Sequence, residues 1–290
     1  MQTRANLLLL TTAAIWGLAF VAQRVGMDYI GPFTFNGIRF ALGSCSLLPL
    51  IWFFHRYPQT TTAQTNTLPA TRMGMLAGLI LFIAASLQQI GIVYTTAGKA
   101  AFITCLYIVL VPLTGLWLRH RISFHTWVGC LLALVGLYFL CVKEDFSIAF
   151  GDMLELAGAL FWTAHILLID HISRKVDSLK LAAIQFATCA TLSLAVGLAI
   201  ESFSLEAILQ AGVPILYGGI GSVGIAYTLQ IIGQKHASPA HAALILSMET
   251  VFAAIGGFLL LGEILGAREL TGAGLMLAGM LLSQSGQLRY

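Results

Sequence analysis

The chain has 290 residues, of which 58% are hydrophobic, 29 are glycine and only 9% are charged. Soluble domains carry about 25% charged residues, so this composition, with a mean hydropathy of +0.89, excludes an ordinary soluble globule. A formal charge of +3, dispersed along the chain, excludes a nucleic-acid partner.

About 18 consecutive apolar residues suffice to cross a bilayer, and ten such stretches can be cut from this sequence. In chain order they are 6–23, 33–54, 73–93, 98–118, 125–142, 152–170, 180–200, 213–233, 238–261 and 269–287. The expected fold class is therefore an all-α membrane protein with ten transmembrane helices. The first stretch, with Arg4 and apolar residues from Leu7, resembles a signal peptide, but nine more spans follow it and it reads as an uncleaved span. The longest connection, His55 to Arg72, is polar and Thr-rich, and no connection is large enough for a nucleotide-binding domain. Ala97-Gly98-Lys99 looks like the end of a P-loop, yet the upstream glycine is misplaced and no Ser or Thr follows the lysine. The five cysteines stand singly in apolar segments without CxxC spacing, so neither a disulfide framework nor a metal site is expected.

Lys and Arg favour cytoplasmic loops. Placing both termini in the cytoplasm puts Arg4, Arg56, Arg72, Arg119, Arg121, Arg174, Lys175, Lys180, Lys235 and Arg289 inside, against Arg24, Lys99, Lys143 and Arg268 outside. The chain also repeats itself. Ala13–Val25 aligns with Ala159–His171 and sets Trp16 on Trp162. Leu87–Tyr94 aligns with Leu229–His236 and sets Gln88 on Gln230. Trp127–Tyr138 aligns with Leu270–Leu281 and sets Gly129 and Gly136 on Gly272 and Gly279. The expected units are a five-helix repeat over 1–146 and a second over 147–290. Five is odd, so the second copy enters the membrane from the opposite side, a plan common among secondary transporters.

Three segments carry a family resemblance: Ala13–Gly43 with its Trp16-Gly17 and Arg39-Phe40 pairs, Gly98–Leu118, and "SMETVFAAIGGFLLLGEIL" with its Gly262-Glu263 pair and the glycine-rich helix that follows. They resemble EamA-type members of the drug/metabolite transporter superfamily over nearly the whole chain. The resemblance implies a ten-helix inverted-repeat carrier of small organic molecules, often moving amino acids or related metabolites outward. Thr250 stands where the family usually has proline after the glutamate, which leaves a proline-hinged gate there in doubt.

Glu249 stands alone in apolar sequence, and an acid at the centre of a span costs roughly 2.5–3.5 kcal/mol on translocon scales. On a continuous helix, Ser238, Ala242, Ala253 and Gly256 would share its face. It is a candidate for proton coupling or for binding a substrate amine, or else a structural acid locking two helices. Arg39 lies in the second span and cannot discard its charge, so it needs a structural or gating partner or a substrate carboxylate; its repeat equivalent is Gln185. Trp16 and Trp162 offer stacking and cation–π surfaces, with packing as the alternative. Gln88 and Gln230 can grip a polar substrate or bond between helices. Tyr107, Tyr227 and His165 are candidates for the same cavity. Pro112 is a candidate hinge or a static kink, and Gly218, Gly221 and Gly224 permit close packing or sliding in the eighth span. His241 reads as interfacial, and the charges of Phe150–Glu155 and of Glu263 with Arg268 as solvated or capping.

The function expected is secondary active export of small amphipathic metabolites, amino acids or their derivatives, across the bacterial cytoplasmic (inner) membrane by alternating access. The partners are a small-molecule substrate, the lipid bilayer and protons, with no cofactor, in a monomer or homodimer. An uptake carrier or exchanger for a vitamin, nucleotide-like or lipid-linked cargo is the alternative. A channel or membrane enzyme ranks below both, since no nucleophile–base pair or His/Asp/Glu cluster stands out.

Overall fold

The computed structural model describes residues 2–56, 69–95, 97–119, 122–141, 149–202, 204–261 and 266–287, and among them every regular element is helical. Most of the Thr-rich connection, Arg121, Lys143, Gly262, Glu263 and Arg289 lie outside the described residues, as does the side chain of Lys99. The elements are α1 (Gln2–Gly26), α2 (Pro32–Arg56), α3 (Ala70–Tyr94), α4 (Ala97–Thr104), α5 (Tyr107–Trp117), α6 (Phe124–Cys141), α7 (Phe150–Ser173) and α8 (Ser178–Ile200). They continue as α9 (Leu205–Gln210), α10 (Gly212–Leu216), a π-helical stretch (Tyr217–Tyr227), α11 (Thr228–Gln234), α12 (Pro239–Leu246), α13 (Glu249–Leu261) and α14 (Ala267–Gln287).

Eight helical runs among the described residues are long and apolar enough to cross a membrane, and α6 adds a shorter apolar helix over Phe124–Phe139. The chain is a multi-pass membrane protein. Helix is dictated by the medium, because lipid offers no partner to a bare N–H or C=O group. The α14 helix is long but opens on Arg268 and Glu269 and ends on Ser283, Gln284 and Ser285, and it stands outside that group of eight.

The chain leaves α-helical geometry inside the bundle at three places. Two are elbows, at Cys105–Leu106 between α4 and α5 and at Ser247–Met248 between α12 and α13. The second divides the span expected over 238–261 into α12 and α13, with Ser238 and Ala242 before the turn and Glu249 after it. No proline is needed there: Ser247 Oγ donates to the Leu244 carbonyl at 2.8 Å and Thr250 Oγ1 to the Ser247 carbonyl at 2.9 Å. Hydroxyls that capture local carbonyls compete with the helical ladder. The first elbow corrects the placing of the interruption at Pro112, which lies buried inside α5, beyond the elbow. The third departure is the eleven-residue π-helical stretch, "YGGIGSVGIAY". Its wide turns leave carbonyls open to capture from α1, where Trp16 Nε1 donates to Ser222 O at 3.2 Å and Thr12 Oγ1 to Ala226 O at 3.1 Å.

The helices pair along a few long seams. The α6 and α14 helices run antiparallel, with Gly129 against Gly279 and Gly136 against Gly272. A Cβ at Gly136 would stand 2.5 Å from the Gly272 carbonyl oxygen, so a side chain there forces the helices apart. The α2 helix lies along α8 and α3 lies on both α7 and α8, while α1 lies on the α10–π–α11 run and on α13. One continuous core unites Leu9, Phe40, Leu81, Ile108, Ile169, Phe186 and Leu244 across these seams.

At one end, Glu201 closes α8 and caps α2 in trans. Its carboxylate accepts from Phe33 N at 2.9 Å, Thr34 N at 2.7 Å and Thr34 Oγ1 at 2.7 Å. Three charge-assisted bonds at a helix N-terminus meet donors that have no intrahelical partner. Replacing Glu201 by Ala lowers stability by about 1–2 kcal/mol, read as a fall in the apparent Tm in detergent, and Glu201→Gln recovers part of the loss.

Candidate functional site

One cavity gathers side chains from both halves of the chain. Trp16, Ala19, Phe20 and Gln23 enter it from α1, Arg39 from α2, Gln88 from α3, Thr104 from the end of α4 and Tyr107 from the start of α5. Trp162 and Ile166 come from α7, Ser222 and Tyr227 from the π-helical stretch, Gln230 from α11 and Glu249 from the first turn of α13. The cavity among these groups has a volume of about 30 Å³. A water needs roughly 10–15 Å³ on that measure, so the cavity as it stands admits a few waters.

Eight of the nine residues expected to bind or couple therefore meet in one place: Trp16, Arg39, Gln88, Tyr107, Trp162, Tyr227, Gln230 and Glu249. His165, the ninth, stands behind the wall, edge-on to Tyr227 and Trp162 at 6.2 Å each, with Nε2 3.1 Å from Gln185 Oε1. His241, near the start of α12, does not face the surface. It is fully buried, with Nδ1 2.9 Å from Ser283 Oγ and Nε2 3.2 Å from Asn6 Oδ1. Among the expected helix-end charges, Asp152 does cap α7, accepting from Ala149 N at 2.8 Å, whereas Glu155 is fully buried.

Glu249 is placed by the second elbow, which makes it the first residue of α13. Its Oε1 accepts from Tyr107 Oη at 3.0 Å and from Cys105 Sγ at 3.3 Å, so the acid of one elbow is held by residues flanking the other. The α1 helix reaches this point because residue 17 is glycine: a Cβ there would stand 2.5 Å from the Glu249 carbonyl oxygen. That approach sets Trp16 beside the acid, with its ring 4.6 Å from that of Tyr227. Trp162 stacks on the same tyrosine at 6.2 Å and 21°.

Arg39 is 2% exposed. Its Nε donates to Asn36 Oδ1 at 2.9 Å, and its guanidinium carbon lies 5.0 Å from the Phe40 ring centre and 5.6 Å from that of Phe35. Among the described residues no carboxylate pairs with it. A buried ion without a counter-charge loses several kcal/mol of hydration that ring faces offset only in part. The arrangement is a positive charge held at the wall of a cavity, with a carboxyl elsewhere on the same wall and aromatic faces between the helices. A small molecule bearing both charges and an apolar body matches that chemistry.

Six lining residues went unnoticed in the sequence. Ala19, Phe20 and Gln23 follow Trp16 at spacings of three, four and seven, one face of a helix, and were findable from that pattern. Ile166 follows Trp162 by four in the same way, whereas Thr104 and Ser222 carry no such signal, since an elbow and a π-helical stretch place them.

Comparison with known proteins places this geometry among carriers. A family model described as "EamA-like transporter family" matches residues 3–142 and again 149–284. An "Uncharacterized transporter" of Archaeoglobus fulgidus is 32% identical over 282 residues, covering 96% of this chain and 85% of the relative. The "Uncharacterized transporter YoaV" of Bacillus subtilis is 26% identical, covering 95% of this chain and 94% of the relative. A crystal structure at 17% identity superposes with a TM-score of 0.81 over 99% of both chains, a likeness of fold.

The missing counter-charge makes a prediction. If Arg39 were one arm of a structural ion pair, Met in its place would cost roughly 3–5 kcal/mol by stranding the partner. With no counter-charge to strand, Arg39→Met costs only about 1–3 kcal/mol for the bared Asn36 Oδ1 while abolishing substrate-dependent stabilisation, both read by thermal shift.

Proposed function

Since the chain belongs to the EamA-like transporter family, we propose that it is a secondary active carrier exporting small zwitterionic, amphipathic metabolites, amino acids or their derivatives, across the bacterial inner membrane. The observation that carries this reading is the joint presence of Arg39 and Glu249 on one cavity wall with Trp16, Trp162 and Tyr227. In the proposal Arg39 takes the substrate carboxylate, the aromatic faces take its side chain, and Glu249 takes either the substrate amine or a proton. The two occupants of Glu249 exclude each other, which is how exchange couples proton entry to substrate exit. One charge moved through 100 mV contributes about 2.3 kcal/mol, enough for a gradient of well over tenfold at about 1.4 kcal/mol per decade.

Alternating access in this reading comes from two units, 1–146 and 147–290, rocking about the cavity, with ten crossings and both termini cytoplasmic. The packing supports the duplication because its seams pair off. Exchanging the units carries the α3–α7 seam onto that of α1 with the α10–π–α11 run, and leaves the α2–α8 and α6–α14 seams mapped on themselves. The elbows at Cys105–Leu106 and Ser247–Met248 are related in the same way, and broken helices near the midplane are a recurrent feature of such carriers. The division at 146 also falls between the two matched stretches, 3–142 and 149–284.

The test is counterflow of radiolabelled amino acids into proteoliposomes as a function of pH. The wild type shows saturable, pH-dependent counterflow. Glu249→Gln remains folded and monodisperse and loses the pH dependence, and unchanged pH dependence in this variant removes the coupling role. Transport of an amine lacking the carboxylate as fast as of the parent amino acid removes the role of Arg39.

A further inference from the structure

Thr104 and Tyr107 stand on either side of the Cys105–Leu106 elbow, and each donates its hydroxyl to a different buried acid. Tyr107 serves Glu249, and Thr104 Oγ1 donates to Glu155 Oε2 at 2.9 Å. Glu155 is fully buried in α7, seven residues or about 10 Å along the helix from Trp162. Its other oxygen, Oε1, has no hydrogen-bond partner among the described residues and rests on Gly91, where a Cβ would stand 2.7 Å from it.

Among the described residues no cation pairs with Glu155. Its own helix contributes Asp152, one turn earlier. The α3 helix contributes Gln88 and the backbone of Gly91, and α4 contributes Thr104. Arg24 of α1 reaches this region but gives Nη1 to the Ile92 carbonyl at 3.4 Å, and the Lys99 side chain lies outside the described residues. An ionised carboxylate in such a place gives up its hydration with one hydrogen bond in return, whereas a neutral carboxyl gives up far less.

Gln88 Nε2 donates to Thr104 Oγ1 at 3.2 Å, which leaves the hydroxyl able to donate to an ionised Glu155 or to accept the Oε2 hydrogen of a neutral one. Gln88 and Thr104 both line the cavity, so Glu155 is one hydroxyl away from it.

We propose that Glu155 is a second proton site of the carrier, holding a proton while α4 lies against α7 and Thr104 Oγ1 faces Oε2, and exchanging it when movement at the elbow takes Thr104 away. Its use in transport rests on the proton coupling proposed above, but the site itself is detectable without any substrate. The two acids are then read by one bend in the chain, so that movement of the elbow alters the surroundings of both.

The test is infrared spectroscopy of the purified full-length protein in lipid films at neutral pH, where exposed carboxyls are ionised. The wild type shows a carboxylic C=O band sensitive to deuterium exchange. Glu155→Gln loses a component of that band, which Glu249→Gln retains. A carboxylic region identical in Glu155→Gln and wild type overturns the assignment. Thr104→Val serves as the second variant and decides the matter if Glu155→Gln fails to fold. Removing the Thr104 hydrogen bond moves the component to higher frequency, and an unmoved band overturns the assignment as well. Counterflow is measured separately, so failure of amino-acid transport refutes the substrate reading and leaves the infrared result standing.

Discussion

The hydrogen bond from Tyr107 to Glu249 joins the two elbows of the bundle, and the rest of the cavity is arranged around it. A spanning helix ordinarily satisfies its own backbone and has no need of its neighbours. Where its geometry changes, the backbone here still closes locally, and the elbows meet through side chains, with Tyr107 and Cys105 on Glu249. Gly17 lets α1 close over that junction, and the closeness of α1 in turn brings Trp16 to the π-helical stretch, whose Ser222 carbonyl accepts its indole hydrogen. Acid, aromatic wall and irregular backbone thus form one linked assembly.

Two buried ionisable groups on one wall set contrasting physical demands. Glu249 has hydrogen-bond donors and can accept a proton, so it has two ways of living in an apolar medium. Arg39 has neither a counter-charge among the described residues nor any route to neutrality. A bundle selected only for stability would replace it with a hydrocarbon of similar volume. Its repeat equivalent, Gln185, bonds His165 and is uncharged, which shows that the packing at this position does not require a cation. In the proposed reading, the strain of keeping Arg39 is relieved when a substrate carboxylate occupies the cavity.

Much of this was legible in the chain before folding. Hydropathy located the spans because the bilayer sets their length, and the isolated acid, arginine and paired tryptophans pointed to the cavity because apolar surroundings make such residues costly. What escaped was decided by local backbone geometry. Thr250 in place of proline suggested a less kinked ninth span, yet a two-residue turn interrupts it where the Ser247 and Thr250 hydroxyls bond carbonyls three residues back. Pro112 drew attention away from the elbow before it, where no residue type gives warning. Glu155 and His241 looked like helix-end groups by position, and only the packing of α3, α4 and α7 on one side, and of α1 and α14 on the other, buries them.

The π-helical stretch has a consequence for selectivity. A wide turn spends an extra residue, so Tyr227 and everything after it are rotated relative to where an ordinary helix would point them. The ring that touches Trp16, Trp162, Phe40 and Phe186 at once owes that position to the phase of the main chain. A change of register anywhere in Tyr217–Tyr227 would therefore turn the aromatic floor of the cavity without altering a single residue that lines it. Gly219 and Gly224 press this stretch directly onto Leu42 and Ser46 of α2, so the phase that aims Tyr227 is held by that seam.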